Sequence, residues 1–248
     1  MSDIAFLLVC VFTFTFLTLF VIRFLTLCRL YGDQGDRFGF SLAISPDDSV
    51  IAVGAQDAKY VKTYAWDAND MIYKQRGLPI YDDPNLKFGW SCSLSDEGMY
   101  LAIGALHVTS GGSFDGSTIT TPGQVKVFQW NGTQYNQVGD TLRGDGNVDE
   151  FGGSVGLSRD GKILVVGAGL NDSNNGVQSG QVKLFELNDS GSNYNLYGEP
   201  LVGEASNNYF GGPVKITSDA TSFAAGAVGN KKQGEFSGQF QVFHIPSS

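Results

Sequence analysis

Cysteine, histidine, proline and basic side chains are all scarce in this chain of 248 residues. It carries 3 Cys, 2 His and 7 Pro, with 16 Lys and Arg against 25 Asp and Glu. Cys10 and Cys28 lie in or beside an apolar stretch and Cys92 stands alone in the rest, so no intradomain disulfide framework can form. His107 and His244 are far apart in sequence and suggest neither a metal cluster nor a Ser-His-acid relay. The stretch Ser110-Gly111-Gly112 precedes no helix, which phosphate cradling requires. Beyond residue 30, with Asp3, Arg23 and Arg29 set aside, 14 basic residues meet 24 acidic ones, a net charge of −10. A surface this acidic repels phosphate backbones, which argues against nucleic acid and leaves cations and basic partners.

Glycine and aromatics, by contrast, are plentiful: 33 Gly, 18 Phe and 10 Tyr favour short strands joined by tight turns over a helical bundle. One long apolar run departs from this pattern. From Ile4 to Ile22 no charge interrupts the chain, and at about 1.5 Å per residue such a helix nearly matches a hydrocarbon core of about 30 Å. Residues 1–25 therefore read as a single transmembrane anchor. A cleaved signal peptide fits less well, since neither a basic leading region nor a small-x-small site is present. Arg23 and Arg29 follow the run, and the positive-inside rule would hold the following domain in the cytoplasm.

Internal repetition dominates residues 26–248. Four segments of equal length align without a gap: FGFSLAISPDDSVIAVGA from Phe38, FGWSCSLSDEGMYLAIGA from Phe88, FGGSVGLSRDGKILVVGA from Phe151 and FGGPVKITSDATSFAAGA from Phe210. Within each, apolar residues alternate, a turn carrying an acid follows, and a second apolar run ends in Gly-Ala, the pattern of a β-hairpin. A third strand then follows a variable loop. In three units a fourth begins at Tyr73, Tyr135 or Tyr194, each with Gly four residues on. Repeats of four short antiparallel strands predict an all-β fold, a β-propeller of about four blades starting near 38, 88, 151 and 210 behind the transmembrane helix. The Phe rings are expected to fill the wedges between blades, and the Gly beside each to admit close backbone approach. Cys92 occupies the place of Leu42, Val155 and Val214, a small core position. Because the fourth unit is one strand short, the N-terminal stretch from about Thr26 is expected to supply it and close the ring.

The Phe-Gly start and Gly-Ala finish resemble the FG-GAP repeats of integrin alpha subunits and of many extracellular propellers of microbes. The resemblance covers nearly everything after residue 30 and implies an adhesion or ligand-binding ectodomain on the extracellular or luminal side. It also implies calcium sites in the first hairpin turns, but here those turns are too short to supply the six to eight oxygens calcium requires. No cofactor is expected, and calcium, if bound, would sit in the long loops.

Those long loops and the linkers between blades share one face of a propeller and are rich in acids, among them Asp115, Asp145, Asp149, Glu150, Asp172 and Glu204. They form the candidate binding face for a protein or glycan ligand, with no catalytic residue assigned. Asn131, Asn171 and Asn188 each begin an N-glycosylation pattern. The expected function is thus a membrane-anchored, non-catalytic interaction domain. The alternatives are a structural subunit, which a large apolar patch at a blade edge would favour, and a glycan hydrolase using paired carboxylates in the pore.

Overall fold

Each Phe-Gly to Gly-Ala segment folds as a hairpin. In the computed structural model, which describes residues 29–106, 122–146, 149–235 and 237–246, the strands gather into four antiparallel sheets in chain order. Blade 1 holds β1 (Phe38–Ile44), β2 (Val50–Ala55), β3 (Tyr60–Asp67), β4 (Ile72–Gln75) and β5 (Ile80–Tyr81). Blade 2 holds β6 (Lys87–Leu94), β7 (Tyr100–Leu106), β8 (Gln124–Trp130) and β9 (Tyr135–Arg143). Blade 3 holds β10 (Phe151–Leu157), β11 (Ile163–Ala168), β12 (Gln181–Leu187), β13 (Tyr194–Leu196) and β14 (Leu201–Val202). Blade 4 holds β15 (Phe210–Ile216), β16 (Ser222–Ala227) and β17 (Gln239–His244).

The repeated glycine after each Phe has a conformational cause. Gly39, Gly89, Gly152 and Gly211 have φ between 85° and 92°, a region closed to most side chains. There the hairpin register slips, as between Phe88 and Ser91. Packing adds a second cause at three of them: a Cβ on Gly89, Gly152 or Gly211 would meet the carbonyl oxygen of Tyr60, Gln124 or Gln181 in the preceding blade at 2.9 Å or less. Phe88, Phe151 and Phe210 are buried in the seams so formed, each edge-on to a third-strand ring, Phe128, Phe185 or Phe243. Apolar clusters fill all three seams, and Cys92 lies in the first with Ala52 and Val61.

The fourth-strand tyrosines lock each blade across its sheet. Tyr73, Tyr135 and Tyr194 donate their hydroxyls to the carbonyls of Asp48, Gly98 and Gly161 in the hairpin turns, at 2.7, 2.6 and 2.5 Å. Burial pushes the Tyr135 phenol up to about 12, with Arg76 opposing. Such a bond makes that turn part of the blade's outer edge as well as its inner one.

Several expectations need correction. Blades 1 and 3 have their outer strand broken in two, with Gly77 and Gly198 at φ 70° and 71° between the pieces. Blade 4 has three strands among the described residues. The anticipated ring closure is not formed by Leu30 and Tyr31, which are not in a strand; residues 26–28 and the expected anchor 1–25 lie outside the described residues. No helix among the described residues is long and apolar enough to cross a membrane.

Candidate functional site

The acidic loop face is built largely from acids that serve the fold. Asp145 pairs with Lys183 at 2.6 Å, Asp82 with Lys126, and Glu204 accepts from Gln241 at 3.2 Å. In each case a linker acid is gripped by the same third-strand position of the blade it leads into. Asp149 is 4% exposed and accepts the backbone N–H groups of Asp145 and Gly146 at 2.8 and 2.7 Å. Glu150 follows it at φ 52°, with burial pushing its carboxyl up to about 7. Asp172 accepts from the Gln178 N–H at 2.8 Å. The structure therefore brings Asp145, Asp149 and Glu150 together in one linker and sets Asp172 and Glu204 around the next. Asp115 lies outside the described residues.

The opposite face stitches neighbouring blades through their hairpin turns. Asp47 accepts from the Glu97 N–H at 3.1 Å, and Arg159 pairs with Asp96 at 2.8 Å. Burial raises the Asp47 carboxyl, but hydrogen bonds from Ser45, Ser49 and Glu97 outweigh it and hold the group at about 2. Asp160 and Asp219 likewise bond within their own turns. Among the described residues no group of three or more His, Cys, Asp or Glu is placed to hold a metal ion.

Of the glycosylation candidates, Asn131 is exposed and Asn188 partly so. Asn171 is corrected: it is 4% exposed, which leaves no room for a glycan. Cys92 is buried, its thiol pushed up to about 11 by burial. The Ser222 hydroxyl lies 2.9 Å from His244 Nδ1, a cross-strand pair with no carboxylate bonded to the imidazole among the described residues.

Apolar surface is left uncovered at the two ends of the blade series. On the leading face of blade 1, Leu42 and Ile44 are 67% and 62% exposed, whereas Cys92 and Leu94, at the same positions of blade 2, are buried against blade 1. On the trailing face of blade 4, Phe240 and Val242 are 74% and 60% exposed. Their counterparts Val61, Val125 and Val182, and Thr63, Val127 and Leu184, are buried. The same contrast holds at the rim: Arg76 and Gly77 cover Trp130, while Trp66, the matching residue of blade 1, is exposed. A groove of about 390 Å³ runs along the leading face between Leu30, Phe38, Leu42, Ile44, Ile51 and Tyr73. Burying side chains of this size gains roughly 1.5–3 kcal/mol each. Sequence reasoning missed these faces because every residue on them reads as core. The available signal was positional: the first unit has no predecessor and the last no successor in the described repeat.

No protein-family profile and no curated protein sequence matches the chain. Among solved structures it is similar to a proposed 6-phosphogluconolactonase from Bacteroides fragilis, at 13% identity and TM-score 0.51, covering 88% of this chain and 55% of that one. A second proposed 6-phosphogluconolactonase, from Bacteroides uniformis, gives 16% identity and TM-score 0.49, covering 75% and 46%. The Dos1 propeller gives 12% and 0.49, covering 81% and 45%. The chain thus spans about half the length of the solved chains it matches, and at such identity the likeness concerns the fold alone. With the four sheets, their register and no ladder joining β17 to β1 or to residues 29–37, the chain is by fold a β-propeller whose described blades form an open arc.

Proposed function

We propose that this protein is a non-catalytic interaction domain that serves as a structural subunit, the alternative that exposed apolar blade surface favours, anchored through its apolar N-terminal run; the FG-GAP resemblance supports the extracellular or luminal side, against the positive-inside reading of Arg23 and Arg29. Its contact surfaces are the two uncovered blade faces. The observation that carries this reading is the exposure of Phe240 and Val242 at positions that are buried in every earlier blade. Contiguous exposed apolar surface marks an interaction site. The acidic loop face is a weaker candidate, because its described acids are already paired with third-strand side chains or hydrogen-bonded within their own loops.

Thiol labelling tests the reading. In the full chain, with Cys10 and Cys28 replaced by Ser and Cys92 by Ala, a single Cys is placed at Leu42 or at Val242, and its labelling rate in native membranes is compared with that after denaturation. Protection of more than about tenfold at both positions supports covered faces. Labelling at the denatured rate at both would return the reading to the acidic loops.

A further inference from the structure

The two uncovered faces are the two halves of one interface, and we infer that each is covered by a second copy of this chain, head to tail, so that two arcs close into a single ring. This rests on the proposed function and names its partner. The inference follows from the internal seams, which repeat residue by residue. Cys92 points its Sγ at the Ala52 carbonyl, 3.9 Å away, and Val155 and Val214 pack on blades 2 and 3 from the same position. Leu42 holds that position in blade 1, and Ala224 holds the place of Ala52 in blade 4, as the strand registers show. Leu42 of one copy therefore belongs over Ala224 of the other.

The linker repeats the same logic. Ile80, Leu142 and Leu201 pair with Val61, Val125 and Val182 on the third strand of the blade before them. Gly144 and Gly203 then donate to the carbonyls of Gly123 and Gly180. Leu30, Tyr31 and Gly32 stand in the same order before Phe38, one residue nearer to it than in blades 3 and 4, and Gly32 already lies tight against the Phe38 Cβ, as Gly144 and Gly203 lie against Phe151 and Phe210. This segment is shaped to add to a third strand, yet among the described residues it pairs with none, and β17 pairs there with β16 alone. Pairing Leu30 with Phe240 of a second copy completes the short fourth blade in trans. Gly39 completes the argument: its three counterparts touch the preceding blade, while a Cβ there would meet nothing within 4 Å.

A second copy offers both missing halves at once. Two copies form two identical seams and close with two-fold symmetry, leaving no free face. The ring would have eight blades, at the upper end of the usual range of roughly four to eight. One substitution sets these seams apart from the internal ones. Pro213 replaces the serine that bonds to the next blade through Ser41, Ser91 and Ser154, so the joint between copies is more apolar than those within a copy.

Cross-linking tests this in the full chain lacking Cys10 and Cys28. Chains carrying Leu42→Cys and chains carrying Ala224→Cys are co-expressed and treated with a short bis-maleimide. A covalent two-chain species from the mixture, absent from either variant alone, is the expected result. Leu30→Cys with Phe240→Cys repeats the test at a second point of the seam, should either first variant fail to fold. Self-linking of the Leu42→Cys chain, or a ladder of higher species from the doubly substituted chain, overturns two-fold head-to-tail closure. Linking within one chain overturns both this inference and the proposed function. No link with thiols still protected from labelling overturns the second copy and leaves the proposed function standing. No link with open thiols removes both.

Discussion

Lys183, on the third strand of blade 3, reaches Asp145 in the linker from blade 2, with Nζ and Oδ1 2.6 Å apart. The lysine is nearly buried and the aspartate more than half exposed. An acid placed to attract a partner is thereby engaged in holding the chain's own crossing between blades.

Replacing Asp145 by Ala should lower stability by about 1 kcal/mol, since half-exposed ion pairs contribute little. Asp149→Ala should cost roughly 2 kcal/mol, because two partly buried N–H groups lose a buried, charged acceptor. Urea titrations of both variants check the order. Reversing Asp145, Asp149, Glu150 and Asp172 together to Lys is expected to unfold blade 3.

Gly39→Ala and Gly211→Ala share a backbone penalty, since their φ values are 92° and 88°. They differ in surroundings: a Cβ at Gly211 would meet the Gln181 carbonyl at 2.4 Å, and at Gly39 it would meet nothing within one chain. Thermal melts of chains held dissociated should show a loss of about 1 kcal/mol for Gly39→Ala. Gly211→Ala should lose roughly 2 kcal/mol more by displacing packed backbone. Equal losses would mean that the seam between blades 3 and 4 is looser than described.

Glu150 offers a test in pH. Its folded-state carboxyl is raised by burial to about 7 from an ordinary 4.5, so the fold favours the protonated form. The stability it allows is fully present below about pH 4.5 and declines as pH rises through 7. Glu150→Gln should melt with the wild type at pH 4 and a few degrees above it at pH 8. A gap that does not change with pH would place the carboxyl in solvent.

Tyr135 has the opposite use for its proton. The hydroxyl donates to the Gly98 carbonyl, and Tyr135→Phe should cost about 1 kcal/mol at neutral pH. Because burial raises the phenol to about 12, the wild type loses this advantage as pH climbs from 10 through 12. Melts of the two proteins should therefore converge as pH climbs and then cross in strong alkali.

The hairpins were legible in the sequence because their signals are local. Asp160-Gly161 turns where the pattern places it, and the four Phe-Gly pairs open β1, β6, β10 and β15, with Lys87 extending β6 by one residue. Even the fourth-strand tyrosines could be located, though their bond to a turn some 25 to 37 residues earlier could not. What local pattern does not encode is which blade faces find a neighbour. Leu42 and Val155 read alike, and only the three-dimensional order of blades leaves one at 67% exposure and the other buried. The partners of the acids were hidden for a related reason: Asp145 looks like loop chemistry until Lys183, 38 residues on, is seen to hold it.

The most direct measurement is the mass of the protein moiety of the full chain by sedimentation in density-matched detergent, beside Phe240→Asp. The account predicts two chains, or 53.2 kDa from 26.6 kDa each, falling to one chain when the charge is set into the seam. A single-chain mass at every protein concentration, unchanged by Phe240→Asp, would contradict it.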